Sequence, residues 1–409
     1  MSAAIWVGEL DLYGASPNVL DLPSDSPFTR ARCLVRVAGT PIGFVEAAVA
    51  RNRVDFAELR ARAHAELGAQ IDESVGVRDW LRDTDELVSV VLCTRDRPTG
   101  AVNTLRSITQ TLHRQLEIVV VDNAPSSDAT AGLVEQLAAA DARIRYVRED
   151  APGLSRARNR GLQEAVGEFV AYTDDDVTVD PLWLHGLLRG FARRPDVGCV
   201  TGLVASGALT YPAERYFDGR VWWSSSCTHT LHELRPTPAD SVMHPYASGR
   251  FGTGANFAFK RELLRRIGGF DPSLGAGSPA AGGEDLDIFV RILRAGFALS
   301  YEPCALVRHH HRVDANSLAR QMRGYGTGLS AYLTKYLVSP ATRGELARGG
   351  FRALRHGLAL ADRSRSAGHE SGFGRSLLLA EAGGFAAGPL AYLRGRRAQT
   401  LAQVRAVAP

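Results

Sequence analysis

Between residues 87 and 174 the chain alternates short apolar runs with longer segments of helical periodicity. The apolar runs fall at 87–93, 117–121, 143–147 and 168–173. The first carries one polar residue, Ser89, as expected of a parallel strand covered on both faces. Helices are predicted between the runs at about 101–112, 129–140 and 155–166. Four strands alternating with three helices imply an open α/β architecture, a mostly parallel sheet flanked by helices. Ligands bind such sheets at the carboxyl ends of the strands. Asp122 and the triplet Asp174, Asp175 and Asp176 stand there.

The flanks follow other patterns. Residues 1–85 read as a small α+β domain: strands at 31–37 and 42–49 joined by a Gly39-Thr40-Pro41 turn, then a helix over about 55–71. Residues 86–313 read as the central α/β domain. Its part from 198 to about 300 looks irregular, apart from a helix near 286–295, and a strand is expected at 298–307. Residues 314–409 read as a helical extension. Its apolar stretch at 377–393 is interrupted by Glu381, Gly383, Gly384 and Pro389, which favours an interfacial or buried helical hairpin over a membrane span.

Composition is that of an ordinary globular chain, with 45% hydrophobic residues among 409. The five cysteines are isolated and none is spaced as CxxC, so neither a disulfide framework nor a zinc knuckle is indicated and a cytoplasmic setting is expected. The early acids Glu9 and Asp11 argue against a secretory signal. The net charge of +4 is unevenly placed. From residue 341 onward there are eleven arginines, no lysine and four acids. Peripheral contact with an anionic inner membrane face is the partner expected for this tail. Nucleic acid is not, because aromatic interleaving is absent.

Three adjacent carboxylates at a strand end repel one another unless a hard divalent cation, Mg2+ or Mn2+, lies among them. On an extended chain Asp174 and Asp176 point one way and Asp175 the other. This separates a metal ligand from an acceptor for a sugar hydroxyl. A solvated, Asp-rich turn is the competing reading. The Arg308-His309-His310-His311-Arg312 run places His309 and His311 on one face, where one of them could reach the metal or a diphosphate. Nearby acids favour an ion harder than zinc. Gly252, Thr253 and Gly254 suit a loop whose backbone approaches a ligand closely, and Trp222 or Trp223 could stack on a ligand ring.

Taken in order, residues 88–94, 120–126, 153–161 and 171–176 resemble family 2 glycosyltransferases, which have the GT-A fold. The resemblance covers about residues 87–336 and implies a GT-A-like catalytic domain. It places Thr94, Asp122 and Asn123 around the nucleobase, with Arg95 beside them. Many members have a second acid where this chain has Asn123. The resemblance brings Arg158 toward the nucleotide and puts Asp174 and Asp175 in the donor site. It makes Asp176 the principal metal ligand and Asp285, in Gly282-Gly283-Glu284-Asp285, the catalytic base, with Glu284 orienting the acceptor.

The implied reaction is transfer of a sugar from a nucleotide-diphosphate donor to a hydroxyl acceptor, with inversion, in cell-surface polysaccharide, glycolipid or metabolite synthesis. A sugar-nucleotide nucleotidyltransferase would carry a Gly-rich basic loop after the first strand, and residues 94–98 contain no glycine. A non-catalytic nucleotide- or carbohydrate-binding protein on the same fold would lack one carboxylate pole, and both are present.

Overall fold

The computed structural model describes residues 4–14, 17–74, 81, 84–238, 243–356 and 374–407, with the backbone alone at 350–356 and 402–407. Part of the basic tail, including Arg363 and Arg365, lies outside the described residues.

The chain begins with β1 (Ala4–Asp11), β2 (Val19–Asp21), β3 (Phe28–Val37), β4 (Thr40–Ala48) and β5 (Arg53–Asp55). β3 lies between β1, which it pairs in parallel, and β4, antiparallel to it. β1 was not expected from the sequence, because acids and a glycine interrupt its apolar pattern. The single helix expected after β5 is two, α1 (Phe56–Glu66) and α2 (Gly68–Ser74). The Asp55 carboxylate caps α1 by accepting from the amides of Ala57 and Glu58 at 2.8 and 3.0 Å. Gly68, a poor helix former, stands at the break.

The central elements are β6 (Val88–Thr94), α3 (Pro98–Thr109), β7 (Leu116–Asn123), α4 (Ala129–Ala140), β8 (Ile144–Glu149), α5 (Leu154–Glu164) and β9 (Phe169–Asp174). They match the expected alternation. Next come β10 (Val177–Val179), α6 (Trp183–Ala192), β11 (Val197–Ser206), α7 (Pro212–Asp218), β12 (Thr230–His232), β13 (Asn256–Lys260), α8 (Arg261–Arg266), α9 (Glu284–Arg294) and β14 (Ala298–His309). The stretch that looked irregular therefore contains three strands and two helices besides α9. Short strands separated by long loops leave little periodicity to read.

Nine strands form one sheet, ordered β10-β14-β11-β13-β9-β6-β7-β8 with β12 paired to β14. The β8-β7-β6-β9 half is parallel throughout, and β13 runs antiparallel between β9 and β11. Strand alternation divides the side chains between two apolar layers. Val90 and Leu92 join Trp183 and Leu184 of α6 on one side, while Val91 joins Phe257, Ile288 and Phe289 on the other.

The N-terminal sheet docks on this framework through Leu34 and Phe44 against Leu203 and Leu306. Buried Arg36 pairs with Asp180, and Glu9 pairs with Arg308. The chain then forms α10 (Ala315–Val338), α11 (Arg343–His356) and α12 (Gly374–Val407). The expected hairpin at 377–393 is instead part of α12, which continues through Gly384 and Pro389. Gly384 and Gly388 lie in the contact with α10, where a side chain would block close approach. By length and composition α12 is the one helix among the described residues that could cross a membrane.

Candidate active site

The site begins where β9 ends. Asp174 is the last residue of β9, and a two-residue turn leads into β10. β10 then pairs with the end of β14, setting Val177 opposite His309. The His310 amide donates to the Asp176 carbonyl at 2.9 Å. This register brings His309 Nε2 to 3.1 Å from Asp176 Oδ1. Ligand atoms of Asp174, Asp176 and His309 lie within 4.8 Å of one another. Two carboxylates and an imidazole suit a divalent cation such as Mg2+ or Mn2+.

Asp175, in the turn after β9, lies outside this cluster. Its carboxylate accepts from Thr94 Oγ1 at 2.7 Å and from Arg97. Arg97 also reaches Asp176 at 3.0 Å, and Arg312 approaches the same carboxylate at 3.5 Å. Burial pushes Asp176 upward, but His309, Arg97 and Arg312 together hold it below the usual carboxylate range. Asp175 is pushed up to about 6 by burial, against the pull of Arg97 and Thr94. Burial also raises Asp174, opposed by Arg158. For His309 burial opposes the charged form, yet the adjacent Asp176 carboxylate raises it overall.

His311 does not join the cluster, although it shares a face with His309. Its Nε2 lies 2.9 Å from Ser206 Oγ and its Nδ1 lies 3.0 Å from His309 Nδ1. Its ring packs on Phe217. With both nitrogens engaged, it supports His309 from behind.

The strand ends on the other side hold the residues expected around the nucleobase. Thr94, Arg95 and Asn123 line the cleft, and Asp122 is fully buried beneath them. Asp122 Oδ2 accepts from Tyr146 Oη at 3.1 Å, while its buried Oδ1 has no partner among the described residues. Burial raises this carboxyl. The Asn123 amide is engaged by backbone: Oδ1 accepts from Gly153 N at 2.8 Å, and Nδ2 donates to Ala151 O at 2.9 Å. These bonds shape the loop before α5, while Asn123 itself lines the cleft.

Across the cleft, Gly283 adopts φ 87° at the start of α9, a left-handed conformation that favours glycine. The turn presents Glu284 and Asp285 together. Asp285 Oδ2 accepts from Gly254 N at 3.0 Å, and its Oδ1 from Leu286 N at 2.8 Å. Buried Arg158 donates to Glu284 at 2.8 Å and to Gly254 O at 3.0 Å, and it lies 3.4 Å from Asp174. Its guanidinium also covers the Phe257 ring at 4.9 Å. Arg158 thus braces the two acidic poles against each other, where the sequence suggested a nucleotide contact. Burial raises Glu284, with Arg158 pulling down and the Asp285 charge adding to the rise.

The poles face one cleft of about 850 Å³. Trp223 lines it, whereas Trp222 stacks near Tyr301 and donates to Gly249 O at 3.0 Å. Sequence reasoning missed Arg97 and Arg312. Both flank motifs it had singled out, but only the fold shows that they converge on Asp176.

A mostly parallel α/β sheet with opposed carboxylate poles at its carboxyl edge is an arrangement suited to a glycosyltransferase. Residues 89–268 match the sequence model described as Glycosyl transferase family 2, which places this central region in that family. It is 29% identical over 241 residues to the pre-mycofactocin glycosyltransferase of Mycobacterium tuberculosis (strain ATCC 25618 / H37Rv), covering 58% of this chain and 46% of that protein. It is 25% identical over 231 residues to the glucosyl-dolichyl phosphate glucuronosyltransferase of Haloferax volcanii, covering 54% of this chain and 68% of that one. The chain spans about half the length of the first curated relatives it matches. Among solved structures, the mannosyltransferase PcManGT from Pyrobaculum calidifontis in complex with GDP-Man and Mn2+ superposes with a TM-score of 0.48 at 21% identity, covering 80% of this chain and 97% of that one.

Proposed function

We propose that the protein transfers a sugar from a nucleotide-diphosphate donor to a hydroxyl acceptor with inversion at the anomeric carbon. The observation that carries this reading is the opposition of two carboxylate poles, Asp174–Asp176 and Glu284–Asp285, across one cleft.

Thr94, Arg95 and Asp122 form the base side of the donor site. The unpartnered Oδ1 of Asp122 supports that role, since it can accept from a base N–H once a nucleotide displaces the surrounding order. Asp175 retains acceptor capacity beyond its bonds to Thr94 and Arg97 and receives a donor-sugar hydroxyl. Asp174, Asp176 and His309 would hold a divalent cation. When bound, such a cation neutralises charge developing on the departing diphosphate. Arg97 and Arg312 add directional cationic donors at the same edge.

Asp285 is the base. Amides of Gly254 and Leu286 fix its carboxylate at the cleft wall. It takes the acceptor hydroxyl proton as that oxygen bonds to the anomeric carbon. The bond from that carbon to the diphosphate breaks, and its electron pair leaves with the nucleoside diphosphate. Glu284, tied to Arg158, orients this wall.

A thermal-shift screen of nucleoside diphosphates and their sugars, with and without Mn2+, tests the donor assignment, because a ligand that binds only the folded state raises apparent stability. One nucleotide should stand out, more strongly with Mn2+. A melting temperature unmoved by every nucleotide would overturn the reading. Once a donor is known, NMR of the product anomer tests inversion.

A further inference from the structure

We infer that the outer surface of α12, continuous with the α10 wall of the cleft, docks on an anionic lipid bilayer. The acceptor hydroxyl is then met at that lipid surface. This rests on the proposed transfer reaction for the meaning of the cleft, but not for the docking itself.

α12 has two unlike sides. Leu377, Gly384, Gly388, Ala391 and Gly395 form the side that is buried against the protein. The opposite side presents Leu379, Leu390, Leu393 and Leu401, which are 73%, 52%, 48% and 52% exposed. Their spacing places them on one helical stripe. Between Arg375 and Arg394 the sole charged residue of the helix is Glu381. Both of its carboxylate oxygens accept from Arg220 at 2.6 Å, which turns that charge inward. The outward surface is therefore uncharged for about five turns.

The charges resume as exposed Arg394, Arg396 and Arg397. An apolar stripe ending in guanidinium groups complements the acyl boundary and anionic headgroups of a bilayer. A second copy of the chain fits less well. Parallel pairing along α12 sets this arginine cluster against its equivalent, and antiparallel pairing sets it against Arg375. Spanning the bilayer is also disfavoured, because α10 occupies one side of the helix so closely that a Cβ on Gly384 would lie 2.0 Å from Arg323 O. Continuity with the site completes the argument. Tyr325 and Leu329 of α10 and Glu381 of α12 line the cleft together with Trp223 and Leu286. Tyr325 and Leu329 are themselves 45% and 39% exposed. A bilayer against α12 therefore lies beside the cleft mouth.

The test is flotation of the full chain with vesicles of phosphatidylcholine alone or with about one third phosphatidylglycerol. The protein should float with the anionic vesicles and remain behind with the neutral ones. Leu390→Asp/Leu393→Asp and Arg394→Glu/Arg397→Glu should each reduce flotation at least about tenfold. Both should keep the thermal shift given by the nucleotide that wild type binds with Mn2+. Absence of wild-type flotation overturns the inference, as does unchanged flotation in both variants. A dimer by light scattering that Leu390→Asp/Leu393→Asp dissociates, with no vesicle binding, assigns the surface to a second copy and also overturns it. Vesicle binding without any nucleotide response would instead refute the transfer reading and leave the docking surface standing.

Discussion

His309 and His311 meet Nδ1 to Nδ1 at 3.0 Å, and the neighbours of His311 decide which of the two donates. Asp218 pairs with Arg32 at 2.5 Å and acts only as an acceptor. Ser206 Oγ–H must therefore donate to Asp218 Oδ1, 2.7 Å away. The Ser206 oxygen must then accept from His311 Nε2–H at 2.9 Å. Burial lowers His311 to about 3, so it is neutral and its Nδ1 is an acceptor. It follows that His309 Nδ1–H donates, leaving Nε2 as the nitrogen that can offer its lone pair to a cation. The chain of bonds begins at Arg32 in the N-terminal sheet and ends at the proposed metal site.

Breaking that chain should weaken the metal site without removing a ligand. His311→Phe is expected to lower Mn2+ affinity at least about tenfold, in the range found for partners that orient a ligating histidine. Ser206→Ala should act in the same direction and less strongly. EPR titration of Mn2+ measures both, independent of turnover. Unchanged affinity in His311→Phe would show that the orientation of His309 is set elsewhere.

The two acidic poles should fail in different ways. Asp176→Asn removes a proposed cation ligand and should abolish both tight Mn2+ binding and transfer. Asp285→Asn should preserve nucleotide and Mn2+ binding while slowing transfer by about 10²–10⁴, the usual contribution of a positioned base. Single-turnover rates with binding isotherms separate the two. Equal loss of binding in both variants would argue against Asp285 as the base.

Arg158 and Glu284 form a buried ion pair, with side chains 3% and 8% exposed. Arg158→Ala leaves Glu284 and Asp174 without their shared cation and should cost about 3–5 kcal/mol in denaturant unfolding. Arg158→Met combined with Glu284→Gln should recover part of that loss. If the double variant is no more stable than Arg158→Ala, the brace between the poles is not what stabilises this region.

Glu284 also carries a pH signature. Burial raises its folded pKa above the unfolded value, opposed by Arg158 and reinforced by the charges of Asp285 and Asp174. The folded protein then holds this proton more tightly than the unfolded chain. Its stabilising contribution is complete below the unfolded pKa and is lost as pH rises through the folded pKa of about 7. Metal-free Glu284→Gln should accordingly show a smaller fall in melting temperature between pH 5 and 7.5 than wild type. Parallel curves would remove Glu284 as the source of that slope.

The legible and illegible parts of this molecule divide by contact range. The alternation from β6 to β9 is local, and it placed Asp122 and the Asp174–Asp176 triplet at strand ends. Strand alternation anticipated the grouping of Asp174 with Asp176 apart from Asp175, but not the turn in which Asp175 and Asp176 share Arg97. The meeting of Asp176 with His309 depends on β10 pairing with β14, a contact between residues far apart in the chain. No local pattern encodes it. The backbone bonds of Asn123 were illegible for a related reason: an amide at a strand end looks unengaged until the loop at 149–153 folds over it. The tail was misread because glycines that signal a break in isolation instead permit close packing.

Two adjacent glycines of α12 test that last point by opposite responses to one added methyl group. A Cβ on Gly383 meets nothing within 4 Å, whereas a Cβ on Gly384 would sit 2.0 Å from Arg323 O and 3.0 Å from Thr327 N. Helical alanine is favoured over glycine by up to about 1 kcal/mol, so Gly383→Ala should stabilise the protein slightly. Gly384→Ala gains the same propensity but must push α12 away from the α10 backbone, which cannot rotate aside as a side chain would. It should be destabilising overall, by about 1–3 kcal/mol as for other overpacked contacts. Thermal unfolding of the two variants, with limited proteolysis across α12, gives the comparison. A Gly384→Ala protein as stable as Gly383→Ala, and equally resistant to cleavage, would mean that α12 does not seat against α10 through this glycine.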